Sequence, residues 1–294
     1  MNLVLSTGSL YSYGLDRVFA LAAETGFDGV EVLIDGRWDA RQPDYLWCLM
    51  QGSGLPIPTV HAPFFPWVQG WPRDELGRLE RSADVARAVG AGVVVAHLPL
   101  RFYGLRVELV GLSTGPRMLP IRIPRRNSFG RFLREDLPAF EAAQGVRVGV
   151  ENMPARLFLG RRANLYAMND VEVLAGLPHL TLDTTHVGTW GWDLLAVYER
   201  LKERIVHVHL SNFDGQEHRR PDTGYLPLDR LLQRLARDRY EGAVSLELGP
   251  DVLEAEDESK VLAHLRRAVT FCREHLAGQE ILAGEPGTGQ SAVS

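Results

Sequence analysis

An aspartate and a histidine stand three residues apart in "LTLDTTHVG", residues 180–188, where a strand-like pattern ends. Apolar and polar residues alternate up to Asp183, which is typical of a β-strand with one buried face. Carboxylate oxygens and imidazole nitrogens bind divalent metal ions, and both groups also transfer protons. Asp183 is expected to point inward as the last regular strand residue. His186 can return over the same edge, because the chain leaves the strand at Thr184 and Thr185.

Three further strand-like segments carry ionisable side chains at the same depth. Glu151 ends "VRVGVE", His209 lies in "IVHVHL", and Glu247 lies in "AVSLEL". Alternation places each of them on the face opposite the branched apolar residues. Burying such a charge costs several kcal/mol unless it is paired or bound to a metal. A divalent cation would satisfy several such carboxylates and imidazoles at once, so these residues and Asp183 are the strongest candidates for a site.

Single ionisable residues in other segments have competing interpretations. Glu31, His61 and His97 each lie at or near the end of a strand-like run. A lone carboxylate in such a place is most often a salt-bridge partner or a helix cap. His207 lies one pleat deeper than His209, and we expect it to make a structural hydrogen bond.

These residues need a sheet that brings their strands together. Short β-branched runs alternate with amphipathic segments along the chain. The predicted strands are 3–7, 29–33, 58–62, 92–98, 146–152, 180–184, 205–210 and 243–248, and the predicted helices are 15–25, 42–53, 73–89, 128–143, 168–175, 193–203, 228–238 and 257–276. Strict alternation of eight strand–helix units predicts an α/β fold with a parallel sheet, closed as a (β/α)8 TIM barrel. Functional residues of such barrels lie at the C-terminal ends of the strands.

The domain organisation follows from this alternation. One barrel domain is predicted over residues 1–278, with a long insertion after strand four at 99–127 that is rich in arginine, proline and glycine. Loops of that length are usually functional or mobile. The small, polar tail 279–294 is predicted to be disordered. An open doubly wound sheet is the alternative architecture, but "STGSLYSYG" lacks the G-x-G-x-x-G spacing of its phosphate-binding turn.

Composition narrows the function classes. The chain has 294 residues, of which 45% are hydrophobic and 23% charged, as is ordinary for a globular protein. Its net charge of −5 gives no general attraction to nucleic acid or anionic membranes, and no apolar run is long enough to span a bilayer. Cys48 and Cys272 lack zinc-type spacing, and the chain opens without a leader pattern. These features predict a reducing, cytoplasmic location.

The motifs at successive strand ends resemble those of the xylose-isomerase-like barrel superfamily. In chain order they are "VHAP", "AHLP", "VENMP", "LDTTH", "VHL" and "LELG", and the resemblance spans residues 3–276. That superfamily includes sugar and sugar-phosphate isomerases and epimerases and the endonuclease IV repair enzymes. The resemblance implies that Glu151, Asp183, His209 and Glu247 hold one divalent metal ion, and Mn²⁺, Mg²⁺, Co²⁺ and Zn²⁺ all remain open. It also implies that Glu151 and Glu247 act as acid and base on the sugar.

The implied function is isomerisation or epimerisation of a small sugar, sugar phosphate or related polyol. Proton transfer would proceed through a metal-stabilised enediolate. His186 contacts substrate oxygens in this pattern, and the other predicted substrate-binding residues are His61, His97, His218 and Trp190. Trp190 belongs to an aromatic segment that either lines the pocket or packs against the barrel rim. The expected partner is a small carbohydrate. Related barrels often dimerise, although no stripe in this sequence marks a homodimer interface.

Two other functions stay open. One is an endonuclease IV-like phosphodiesterase with three zinc ions, for which His218 could supply a further ligand. Gln216 stands where that resemblance requires an aspartate, and the negative net charge makes nucleic acid the less expected partner. A concentration of arginines over 101–134 is either part of a solvated loop or a site that captures a phosphate, on a sugar phosphate or on a nucleic-acid backbone. The other is a non-catalytic barrel used for binding, which the four buried ligand-type residues disfavour.

Overall fold

Parallel strands close into a barrel with helices around it. The computed structural model describes residues 1–65, 67–106, 118–124 and 128–277. The tail predicted to be disordered, 279–294, and much of the insertion 99–127 lie outside these residues. In chain order the strands are Asn2–Ser6 (β1), Gly29–Leu33 (β2), Thr59–His61 (β3), Val93–His97 (β4), Phe102–Arg106 (β5), Met118–Pro124 (β6), Arg147–Glu151 (β7), Arg156–Phe158 (β8), Arg161–Ala163 (β9), Leu180–Asp183 (β10), Ile205–Leu210 (β11) and Ala243–Leu246 (β12).

The helices follow the barrel strands in alternation. They are Leu15–Thr25 (α1), Pro43–Ser53 (α2), Glu75–Val89 (α3), Ser128–Glu135 (α4), Leu137–Gln144 (α5), Val171–Leu174 (α6), Thr184–Trp190 (α7), Leu194–Leu201 (α8), Leu228–Arg237 (α9) and Glu258–Ala277 (α10). The predicted helix 128–143 is two helices, because Pro138 in the first turn of α5 has no N–H to continue the α4 ladder. No helix in the described ranges combines the length and the apolar character needed to cross a bilayer.

Eight strands form the closed barrel, in the order β1-β12-β11-β10-β7-β4-β3-β2, with parallel pairing throughout. The predicted (β/α)8 fold is therefore confirmed. Each of these strands lies within two residues of its predicted bounds. Parallel pairing brings all the C-terminal strand ends to one edge, which we call the mouth of the barrel.

Strand β11 illustrates how alternation selects the residues that face the interior. Val208 and Leu210 are fully buried in the hydrophobic core that the strands share with the surrounding helices. His207 and His209, on the other face, are fully buried as well, and both contact Glu31 inside the barrel. The inward orientation expected for the ionisable residues is thus the one that the fold adopts.

Two hairpins interrupt the alternation and were not predicted. Strands β5 and β6 pair within the insertion, and β8 and β9 pair just after β7. Leu159 and Gly160 connect β8 to β9 with φ angles of 49° and 74°. Two consecutive positive φ values are typical of a type I′ turn. A leucine there is unusual, which is why the sequence carried no hairpin signal.

Candidate active site

Four side chains from the last four barrel strands meet at the mouth. Glu151 ends β7, Asp183 ends β10, His209 lies in β11, and Glu247 directly follows β12. One donor atom from each lies within 4.8 Å of the others. His209 Nδ1 is 3.4 Å from Glu151 Oε1 and 3.2 Å from Glu247 Oε2. The structure therefore brings together the four residues predicted as metal ligands.

Asp183 begins a helix as well as ending a strand. Its Oδ1 accepts a hydrogen bond from the backbone N–H of His186 at 2.8 Å and so caps α7. The helix turns the chain back over the mouth, where His186 Nδ1 lies 3.2 Å from Glu151 Oε1. Gly191, with a φ of 67°, ends α7 after two turns. The helix that begins after Asp183 thus brings Asp183 and His186 to the same site.

Asn152 fixes the relative position of β7 and β10, and sequence reasoning did not single it out. Its Oδ1 accepts from the N–H of Asp183 at 2.8 Å, and its Nδ2 donates to the Asp183 carbonyl at 3.0 Å. His186 Nδ1 donates to the Asn152 carbonyl at 2.8 Å. The amide therefore sets the separation of the neighbouring carboxylates. Its place directly after Glu151 was the available signal.

Buried polar atoms at this site lack hydrogen-bond partners. Among the described residues, Glu151 Oε2, Asp183 Oδ2 and His209 Nδ1 are buried and make no hydrogen bond of good geometry, although His97 Nε2 lies 3.0 Å from the first and Glu247 Oε2 lies 3.2 Å from the last. Each buried polar atom left without a partner costs about 1–3 kcal/mol. A mixed set of oxygen and nitrogen donors suits a divalent cation such as Mn²⁺, Mg²⁺, Co²⁺ or Zn²⁺. The residues present therefore fit a metal ion.

Burial or the charges of neighbouring groups raise the pKa values of Asp183, His186 and His209. Burial raises the pKa of Asp183 to about 6, and the charge of Glu151 adds to this shift. Burial lowers the pKa of His186, but the charges of Asp183 and Glu151 outweigh it and raise that pKa to about 9. Burial also opposes the charged form of His209, yet the surrounding carboxylates hold its pKa well above the usual value. The cluster of carboxylates thus attracts positive charge strongly.

A cavity of about 300 Å³ opens above the four ligand residues. Glu151 and Glu247 reach it from below, and the predicted substrate-binding residues His61, His97, His186 and His218 line it. His61 Nδ1 donates to the Ala62 carbonyl at 2.8 Å, which leaves Nε2 facing Glu151 Oε2 at 3.6 Å. His97 Nε2 lies 3.0 Å from the same oxygen. These imidazoles can donate to substrate oxygens or bind a metal ion.

His218 occupies its place through an unusual backbone conformation. Its φ of 60° lies in the left-handed region, and its Nδ1 lies 3.2 Å from the Glu247 carbonyl. Backbone strain of this kind persists where the surrounding structure enforces it, often at functional sites. His218 therefore lines the cavity beside one of the proposed ligands.

Glu217 and Arg156 also line the cavity, and sequence reasoning missed both. Arg156 Nη1 donates to Glu217 Oε1 at 2.7 Å, and Glu217 Oε2 lies 3.9 Å from His186 Nε2. Gln216 stands where the endonuclease IV resemblance requires an aspartate, but its neighbour Glu217 supplies a carboxylate at this place. Donor atoms of His186, Glu217 and His218 lie within 4.8 Å of one another. Both residues lie in irregular or unpredicted segments, where no periodicity indicates a direction.

Trp190 is not among the cavity-lining residues that the structure describes. Its indole N–H donates to the Met153 carbonyl at 3.0 Å, and its ring stacks on Trp192 with centroids 5.0 Å apart. This arrangement agrees with the second interpretation of the aromatic segment, in which it packs against the barrel rim. Phe64 instead provides aromatic surface in the cavity, stacked on His97 with centroids 5.3 Å apart.

Solved structures with the same fold include several enzymes. A 3-keto-D-glucoside 4-epimerase from E. coli superposes with a TM-score of 0.65 at 20% identity, covering 93% of this chain and 99% of that one. A family 2 AP endonuclease from Brucella melitensis gives a TM-score of 0.60 at 19% identity, with 85% and 94% coverage. At these identities the similarity concerns the fold alone.

Sequence comparison gives relatives and a family. An uncharacterised protein of Mycobacterium leprae is 29% identical over 295 residues, which cover 92% of this chain and 96% of the relative. A putative hydroxypyruvate isomerase of Streptomyces coelicolor is 28% identical over 177 residues, 58% of each chain. The family model for the xylose isomerase-like TIM barrel matches residues 19–269. With the closed barrel and the motifs at its mouth, this match shows that the chain belongs to the xylose isomerase-like TIM barrel family.

Proposed function

We propose that the chain is a divalent-metal-dependent isomerase or epimerase of a small sugar, sugar phosphate or related polyol. The observation that carries this proposal is the convergence of four donor side chains, three of which have a buried polar atom without a hydrogen-bond partner. A protein that placed these charges together without a cation would be destabilised by several kcal/mol.

Glu151, Asp183, His209 and Glu247 would hold the metal. A divalent ion bound there would polarise the carbonyl and hydroxyl oxygens of a bound sugar. Asp183 and His209 are fully buried and are not part of the cavity lining, so they serve binding rather than proton transfer. Glu151 and Glu247 reach the cavity and are free to contact substrate as well.

The two glutamates are the proposed acid and base. One carboxylate removes the proton from the carbon beside the carbonyl, and the electron pair moves onto the carbonyl oxygen to give an enediolate. The other carboxylate returns a proton to the neighbouring carbon or to the opposite face. Since Glu247 is about one-fifth exposed and Glu151 is buried, the two carboxylates approach the substrate from different environments.

The rest of the cavity suits a small polyhydroxylated substrate. His61, His97, His186 and His218 present ring nitrogens that can donate to hydroxyl oxygens, and Phe64 offers an apolar face. The relative from Streptomyces is named as a putative isomerase of hydroxypyruvate, a three-carbon hydroxy keto acid. A cytoplasmic location and a homodimer stay predictions.

The proposal is tested by exchange of substrate protons with solvent. Glu151→Gln and Glu247→Gln are each expected to abolish deuterium incorporation from D₂O into ketoses, ketose phosphates or hydroxypyruvate at saturating metal. The circular dichroism spectrum should stay that of the wild type. Glu172→Gln is the matched control, because Glu172 pairs with Arg200 on the surface of α6 and should leave exchange unchanged.

Full turnover in the Glu247→Gln variant would contradict the two-glutamate scheme. Exchange that is lost equally in the Glu172→Gln control would point to a general defect of the preparation. A wild-type protein that exchanges no proton of any substrate in the panel, with metal bound, would remove the isomerase proposal itself.

A second function is favoured by one specific observation. Besides the four-ligand group, two more groups of donors converge at the mouth: His61, His97 and Glu151, and His186, Glu217 and His218. Three adjacent groups could hold three metal ions, as a phosphodiesterase acting on abasic DNA would need. The Arg156–Glu217 ion pair already neutralises part of the third group. Nicking of an abasic duplex in the presence of Zn²⁺ would favour this function over the isomerase.

A further inference from the structure

We propose that Glu31 is a positioning residue that fixes the tautomer and ring orientation of His209, so that His209 Nδ1 faces the metal. Glu31 Oε2 lies 3.2 Å from His209 Nε2, on the edge of the ring opposite the four-ligand group. Glu31 touches none of the other three proposed ligands in the contacts of the described chain. This inference rests on the proposed metal site and assigns a role to a residue beneath it.

An imidazole binds a metal through one nitrogen only when that nitrogen carries no proton. The proton then resides on the other nitrogen, which needs an acceptor if it is buried. His209 is fully buried, and its Nε2 faces the Glu31 carboxylate. In the metal-loaded protein, Glu31 therefore selects the tautomer protonated on Nε2, and Nδ1, which lies beside Glu151 and Glu247, is left to bind the ion.

The Glu31 carboxylate is itself held in place from two barrel strands, and a third strand holds one of its partners. Ser6 Oγ on β1 donates to Glu31 Oε1 at 3.2 Å. His207 on β11 contacts Oε2 through its Nε2, while its Nδ1 lies 3.3 Å from Thr59 Oγ1 on β3. Ser6, Glu31, Thr59 and His207 are all at most 1% exposed. A carboxylate with this many fixed partners cannot rotate away from His209.

Carboxylate partners of metal-binding histidines typically change metal affinity by 10- to 100-fold when they are mutated. Glu31→Gln keeps the shape of the side chain but replaces one carboxylate oxygen by an NH₂ group. That NH₂ group would face a hydrogen-bond donor, which in the wild type faces a carboxylate oxygen. We expect the Kd for Mn²⁺ or Zn²⁺ to rise about 10- to 100-fold, with the far-ultraviolet circular dichroism unchanged. The measurement is isothermal titration of the metal-free protein with each ion.

Glu141→Gln is the matched control. Glu141 Oε1 also holds a histidine, since His179 Nδ1 lies 2.8 Å away, and it accepts from the N–H of Val148 at 2.7 Å. This Glu–His pair connects α5 to the outside of the barrel and contacts none of the four proposed ligands. The control should leave the Kd within about twofold of the wild type, whatever it does to stability.

A Glu31→Gln protein that folds and binds metal with a Kd within threefold of the wild type would overturn the inference. A second measurement decides the matter if the variant does not fold: ¹⁵N spectra of histidine-labelled, Zn²⁺-loaded wild type. The inference requires Nδ1 of His209 to be metal-bound and Nε2 to carry the proton, and the reverse assignment would overturn it. Absence of metal binding in the wild type would instead remove the proposed function, so the two failures are distinguishable.

Discussion

Replacing Gly149 by alanine should disturb the strand that carries Glu151. Gly149 lies on the inward face of β7, and a Cβ added there would overlap Thr181 Oγ1 on the neighbouring strand β10. Thr181 is buried, and its hydroxyl donates to the Gly149 carbonyl at 3.1 Å. Moving the hydroxyl away from the new Cβ would break this hydrogen bond, so the overlap cannot be relieved without loss.

The expected cost follows from these contacts. Overpacking of a buried site costs about 1–3 kcal/mol. Loss of the Thr181 hydrogen bond adds about 1 kcal/mol. Alanine recovers about 0.5–1 kcal/mol by restricting the unfolded chain. Gly149→Ala should therefore lower the free energy of unfolding by about 1–3.5 kcal/mol, which equilibrium unfolding in urea with a chelator present will measure.

A double-mutant cycle separates overlap from other causes. Once Thr181→Ala removes the hydroxyl, the nearest atoms to the new Cβ are Thr181 N and Val206 Cγ2, both at 3.4 Å, an ordinary van der Waals contact. Gly149→Ala should then cost nothing in the Thr181→Ala background. Equal stability of Gly149→Ala and wild type, or strictly additive costs in the double variant, would refute the argument.

Two further predictions concern regions away from the mouth. Cys48 is exposed, whereas Cys272 is fully buried and burial raises its pKa. A thiol reagent at pH 8 should therefore label one cysteine per native chain and two after unfolding. Equal labelling rates for the two cysteines of the native protein would contradict the packing of α10. Burial raises the pKa of Asp222, but hydrogen bonds from Arg220 and the charge of Arg267 outweigh it and leave the pKa below its usual value. The charge therefore stabilises the fold above the unfolded-state pKa, and this contribution is lost as the pH falls through the folded-state pKa. Asp222→Asn should lower the free energy of unfolding by about 1–2 kcal/mol at pH 7, and a difference from wild type that does not shrink on acidification would contradict this assignment.

Sequence alone was sufficient for the barrel and for the direction of its inward residues. Alternation along β7, β10 and β11 separates the branched apolar residues from the ionisable residues, and this contrast identifies which side chains share the interior. Glu151, Asp183 and His209 could be placed for that reason. His207 could be assigned a hydrogen bond from its depth alone, and it contacts Glu31 as expected.

Residues outside the strands were harder to place. Glu217 lies in the segment between β11 and α9, and Arg156 begins a hairpin whose turn has leucine in the left-handed region. Neither segment has a period that sets a direction. Trp190 lies in a helix that the sequence did not predict, because residues 184–190 are too few for a helical period to be visible. Its indole N–H donates to the Met153 carbonyl, and this direction could not be read from the sequence. The partnership of Glu31 with His209 needed three dimensions, since 178 residues separate them.

The central claim, that four side chains at the barrel mouth share one divalent ion, is tested most directly by counting metal. Elemental analysis after saturation with Mn²⁺ or Zn²⁺ and removal of excess should give one ion per wild-type chain and substantially less for Asp183→Asn. Asp193→Asn is the matched control, because Asp193 caps α8 as Asp183 caps α7, and asparagine caps equally well. A wild-type chain without a stoichiometric ion, or undiminished binding in Asp183→Asn, would contradict the account.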